Sequence, residues 1–141
     1  MANVIPYSFR GELLSGTHDF SSGGDQFKLA LYTANPYTTS STAYDATSEV
    51  SASGTAYTTT GNVLTGNAVA SGTAVASCDF DPSVWTTATF TTAFGAIYND
   101  DKSDKLCVVL DFSGNKTCTN GTFTVTFPSP TSPADAIISM A

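Results

Sequence analysis

In GDQFKLALYT, residues 24–33, Phe27, Leu29 and Leu31 fall on one face of an extended chain, and Lys28, Ala30 and Tyr32 fall on the other. A period of two suits a pleated strand; an amphipathic helix repeats its apolar residues every three or four positions instead. The same alternation returns further along. LCVVLDF aligns Leu106, Val108, Leu110 and Phe112, and TFTVTF sets Phe123, Val125 and Phe127 against Thr122, Thr124 and Thr126. TATFTTAFGAIYN sets Phe90, Phe94 and Tyr98 against Thr89, Thr91 and Ala93, a length that suits one long strand with a kink at Gly95.

Between these segments, GTAYTTT, NVLTGNAVA and GTAVASCDF are short runs of small and β-branched residues cut by Gly54, Gly61, Gly66 and Gly72, the pattern of strands joined by tight turns. SGNKTCTNG is turn chemistry, with Gly114 and the Asn120-Gly121 pair able to take positive φ. NPYTTSSTAYDATSEV, residues 35–50, keeps no period and reads as a long excursion over the surface. One short helix is predicted in SFRGELLSG: Ser8 is the N-cap candidate, Phe9 and Leu13 share a face, and Gly16 is the stop. The prolines of PSPTSPADAIISMA favour an extended crossing before a last strand over Ala136 to Met140. The fold class predicted is all-β: a jelly-roll-like antiparallel β-sandwich of about eight strands with one short N-terminal helix. Residues 1–20 form an arm and the helix, and residues 21–141 the sandwich, in a single domain.

Composition agrees. A chain of 141 residues buries roughly two thirds of the surface its unfolded form exposes, enough for a core without disulfide staples. Charged residues make up 12% of the chain, about half the usual share, and Ser and Thr fill the polar positions. The formal charge of −7 and a pI near 4.1 exclude the clustered cationic footprint that nucleic acid requires. No apolar run is long enough for a bilayer helix, and MANVIPYSFRGELL lacks the basic and apolar regions of a signal peptide, so the expectation is a protein made in a cytoplasm, without a membrane partner. Cys78, Cys107 and Cys118 have no C-x-x-C pairing and one histidine between them, which suggests reduced cysteines used as small apolar residues.

Residues able to do chemistry are sparse. His18 beside Asp19 lacks any nucleophile context and reads as a turn-capping or surface residue. The pairs Asp79 with Asp81 and Asp100 with Asp101 sit where strands end and read as turn caps rather than a glycosidase pair. YNDDKSDK lacks the spacing of a calcium loop and reads as a solvated hairpin. The glycosylation sequons at Asn115 and Asn120 read as chance matches in a Thr-rich chain. No phosphate loop, nucleotide fingerprint or metal cluster is present, so no enzyme activity and no cofactor are expected.

The order of segments is more specific than the composition. SFRGELLSGTHDF, GDQFKLALYT, TSEVSASGTAYTTTGNVLTG, DPSVWTTATFTTAFGAIYND, LCVVLDFSGNKTCTNGTFTVTFP and ADAIISM together resemble a family of small virion proteins of tailed bacteriophages, across nearly the whole chain. Such proteins are similar to the cement or decoration subunits on the outside of a mature icosahedral head. The chain departs from the family pattern at GTAYTTTGNV, where a Gly-Gly turn is replaced by the single Gly61. The resemblance implies a non-enzymatic capsid decoration protein on the virion exterior, synthesised in the host cytoplasm. Its implied partners are the major capsid protein and further copies of itself, as a dimer or trimer. Contact residues expected on that basis are Val4, Ile5, Tyr7 and Phe9 at the N-terminus, with Asn35, Tyr37 and Tyr44 in the excursion. The alternative is a tail or fibre component with a carbohydrate-binding sandwich, in which Trp85 and Tyr57, together with Tyr37 and Tyr44, stack on glycan.

Overall fold

The computed structural model describes residues 3–72, 74–128 and 136–140. Its elements are helix α1 (Tyr7–Leu14) and strands β1 (Phe27–Tyr32), β2 (Asn62–Val63), β3 (Ala68–Ser71), β4 (Ala76–Asp79), β5 (Ser83–Asn99), β6 (Lys105–Val125) and β7 (Ile138–Met140). A single 3-10 turn, Asp100–Lys102, joins β5 to β6. Two antiparallel sheets form, in the orders β2-β1-β5-β6 and β3-β4-β7. The fold is therefore an all-β sandwich with one short helix, as the alternation predicts. Seven strands are present among the described residues where about eight were expected, because GTAYTTT is loop and because LCVVLDF and TFTVTF, expected as two strands joined by a turn at SGNKTCTNG, are one continuous β6 that stays paired with β5 through that stretch. The proline-rich crossing falls largely at 129–135, outside the described residues.

The helix forms where expected but is capped differently. Pro6, with φ −60 and ψ 153, holds the N-cap position and gives no side-chain cap; the Ser8 hydroxyl donates instead to Ser41 O at 3.3 Å. Proline presets the dihedral and pulls the start back, which leaves Ser8 inside the first turn. Gly16 takes φ 71 just past the end and donates to Leu13 O at 3.2 Å, so it is the stop that was predicted. Phe9 is fully buried, and Leu13 packs against the same core.

The core lies on one face of β1: Phe27, Leu29 and Leu31 join Phe9, Phe20, Cys78, Phe80, Trp85, Phe90, Val108 and Ile138 from the helix, the connecting segments and both sheets. Phe20 stacks on Phe27 at 4.3 Å, and Phe80 meets Phe27 and Phe127 edge-on. Aromatic pairs of this kind add about 0.5–1.5 kcal/mol each beyond the area they bury.

In the long hairpin the simple alternation fails at identifiable places. Phe90 faces the main core while Phe94 and Tyr98 face the opposite side, although all three were placed on one face. The change of face falls at the register shift between Thr92 and Phe94, where β6 runs Phe112 to Asn115 opposite Ala93 alone, with Ser113 and Gly114 at positive φ. A second shift between Ile97 and Tyr98 puts Cys107 and Val108 both into the main core and sends Leu106 to the other side. One extra residue reverses every later side chain, which a period-two reading cannot foresee.

The kink also lies elsewhere than at Gly95. That residue stays paired with Leu31 and Leu110, and the space above it is taken by Phe112, whose ring edge would stand 3.0 Å from any Cβ placed there. The bend occurs near Thr87, at φ 52, opposite Asn120 at φ 47. Five residues of straight strand span about 16 Å, yet the rings of Trp85 and Phe90 lie 6.3 Å apart.

Candidate functional site

The excursion over residues 35–50 is the structural answer to what covers the outer face of β1. Ala30 and Tyr32 from β1, Ala96 and Tyr98 from β5 and Leu106 and Val109 from β6 form a second buried cluster, closed by Tyr37, Tyr44 and Val4. The Tyr32 and Tyr37 hydroxyls bond at 2.7 Å in the interior, and the Asp45 amide donates to Tyr37 Oη at 3.0 Å. Glu49 is the hub: its carboxylate accepts from Tyr44 at 2.6 Å, Tyr57 at 2.7 Å and the Thr60 amide at 2.8 Å. Tyr57 in turn accepts the Leu31 amide of β1 at 3.0 Å. Burial and the neighbouring Glu49 carboxylate push the Tyr57 and Tyr44 phenols well above their ordinary range, so both stay protonated donors. Val4 exchanges two backbone bonds with Val109, at 2.9 and 2.8 Å, and so adds a bridge at the edge of β6.

A second polar network fixes the helix to the turn of the hairpin. The His18 side chain is fully buried between the rings of Phe9 and Phe20, not at the surface as its loop setting suggested. Asn99, also fully buried, donates one amide hydrogen to Asp25 Oδ2 at 2.8 Å and the other to His18 Nδ1 at 2.9 Å. That leaves His18 Nε2 as the donor to Glu12 Oε2, at 2.8 Å. Glu12 Oε1 takes Lys105 Nζ at 2.7 Å. Burial pushes the Glu12 carboxyl up, but the hydrogen bonds and charges of Lys105 and His18 outweigh it and hold it below its ordinary value. These bonds tie the helix, the segment after it and the hairpin turn together.

The carboxylates of the hairpin turn are likewise engaged. Asp100 pairs with Lys28 at 2.9 Å and accepts from the Gln26 side chain, while Asp101 accepts the Gln26 amide at 2.7 Å. Among the described residues no group of three or more His, Cys, Asp or Glu is placed to hold a metal. The cysteines are free thiols, and burial raises Cys78 to about 12. No helix among the described residues is long and apolar enough to cross a membrane.

The residues singled out for contacts therefore divide. Tyr7 is 62% exposed, with the Arg10 guanidinium 5.4 Å from its ring centre. Val4 and Ile5 are half-buried, and Phe9 is inside the core, out of reach of any partner. Asn35 is half-buried and its side chain accepts the Tyr37 amide at 2.9 Å, while Tyr37 is buried and Tyr44 is turned in toward Glu49. Trp85 is only 3% exposed, enclosed by Tyr57, Phe90 and Phe123, and Tyr57 is buried as well. Neither ring presents a face on which a sugar could stack. The reason is the bend in β5, which turns Trp85 and Phe90 onto the same side.

Two surface features were not read from the sequence. The first is an apolar groove of about 140 Å³ between the end of α1 and the smaller sheet, lined by Leu13, Phe20, Val69, Cys78, Ile138 and Met140. Beside it Leu14 is 85% exposed, and Val69 and Met140 are exposed. The second, of about 370 Å³, lies along β6 between Phe112, Lys116 and Phe123–Thr126. Comparison with protein-family models, curated proteins and solved structures gives no match for this chain.

Proposed function

We propose that this chain is a non-enzymatic decoration protein of a tailed-phage head, docking on the outside of the shell and stabilising it. The observation that carries this is the order of sequence segments from SFRGELLSGTHDF to ADAIISM, which resembles small phage virion proteins. The structure supplies features that such a role would use. Both faces of the central β1–β5–β6 region are packed, so docking would not have to order the body of the domain. Exposed Leu14, Val69 and Met140 flank an apolar groove at one end, and Tyr7 is exposed on the same helix as Leu14. A shell subunit docking there would bury apolar surface that the isolated chain leaves in water. Binding only to the assembled shell then adds to its stability by mass action.

The test is rebinding of purified chain to shells that lack it. Leu14→Asp combined with Met140→Asp leaves the buried clusters untouched and should reduce shell occupancy at least about tenfold, with the unfolding midpoint unchanged. Undiminished occupancy removes this end of the molecule as the docking face; failure of the unsubstituted chain to bind any shell removes the function itself.

A further inference from the structure

The groove along β6 is lined by Phe123, Thr124, Val125 and Thr126 in succession, together with Phe112 and Lys116. Successive residues of a strand point to opposite faces. A groove that touches four in a row therefore runs along the backbone edge of the strand and not over one face. That edge is open: β6 is the last strand of its sheet, and among the described residues its outer side is bridged by Ala43 at Lys105 and Val4 at Val109 and by no strand further along. Phe112 and Phe123 are half-buried and offer apolar walls to the groove.

The charge of the groove is as specific as its shape. In a chain of net charge −7, Lys28, Lys102 and Lys105 each lie against a carboxylate of Asp100, Asp25 and Glu12. Lys116 is exposed and has no carboxylate partner among the described residues. We infer that this groove receives an extended peptide segment that adds to the outer edge of β6, seats an apolar side chain against Phe112 and Phe123, and places an Asp or Glu against Lys116. Backbone hydrogen bonds to the open edge supply affinity, and the walls and the cation supply selectivity. A lysine beside an open edge also repels basic strands and deters pairing with uncharged ones, so the same residue excludes the wrong partners. The inference stands apart from the capsid reading, since it needs only this edge and this cation.

The experiment selects from a displayed random heptapeptide library on the intact protein, then repeats the selection on Lys116→Glu, an exposed change that spares the fold. Phe123 lies 6.0 Å from the single Trp85, so the emission of that ring reports occupancy of the groove in solution. Peptides enriched for Asp or Glu beside an apolar residue are expected. Their affinity should fall about tenfold in Lys116→Glu, whose own selection should turn to Lys and Arg. Proline substituted at alternate positions of a selected peptide should also abolish binding, because it removes the backbone donors. No enrichment, enrichment indifferent to the charge at position 116, equal competition by N-acetylglutamate, or self-association abolished by Lys116→Glu would each overturn the inference.

Discussion

Two glycines at positive φ separate local strain from packing. Gly61 has φ 83, and a Cβ there would stand 2.0 Å from the Leu29 carbonyl oxygen of β1; Gly114 has φ 107 with open space around it. Gly61→Ala should therefore cost about 3 kcal/mol or more, and Gly114→Ala about 1–2 kcal/mol from backbone strain alone. Urea unfolding followed by Trp85 fluorescence checks both, and equal midpoints for the two variants would contradict the packing described. Tyr57→Phe should cost about 1–3 kcal/mol, since it strands the Leu31 amide and removes one of three donors to Glu49. A neutral result would mean that water replaces the hydroxyl. At this scale the sequence discloses which residues are apolar but not which polar ones go inside. His18 and Asn99 look like loop residues because each is flanked by turn chemistry, and they are buried only because they find one another across 81 positions.

At the scale of elements, the network from α1 to the β5–β6 turn sets the response to acid. Glu12 titrates lower in the folded chain than its ordinary 4.5, and Asp25 and Asp100 lower than 3.8. A carboxyl depressed by folding contributes stability that is full above its unfolded value and is lost as pH falls through its folded value. The urea midpoint should thus be level near neutrality and decline below about pH 5. Glu12→Gln should lower the neutral midpoint and make the acid decline shallower. A decline as steep as that of the unsubstituted chain would place the linkage in other carboxylates. The strands themselves were legible: β1 and the Phe123–Phe127 stretch behave as their alternation says. Of the long hairpin most of β5 was legible as one strand, but β6 was read as two strands joined by a turn at SGNKTCTNG, a stretch that in fact stays paired with β5. Its faces depend on bulges at 86–87 of β5 and at 107, 112–115 and 119–120 of β6; the Gly and Asn residues there signal a break in the strand, but a turn and a bulge use the same residues. The excursion was invisible as a cover, because Tyr37 and Tyr44 act singly and without period.

For the whole molecule, the sandwich class followed from alternation, turn residues and the scarcity of helix formers, whereas its docking faces did not. Tyr7 is at the surface as proposed, but Phe9, Tyr37, Tyr57 and Trp85 are consumed by the fold. Deleting residues 1–9 would remove Phe9 from the core and the Val4 bridge from β6, so exposed point substitutions are the cleaner probe of docking. The residues of the first groove lie far apart in sequence, and those of the second lie on an ordinary-looking strand. The proposed role makes one direct numerical claim, that the chain is present on the shell at lattice stoichiometry. Quantitative mass spectrometry of phage particles propagated from a genome encoding this chain measures its copy number against the major shell protein. The account predicts a ratio near one, or a simple fraction set by the icosahedral lattice; a few copies per particle, or none, would contradict it.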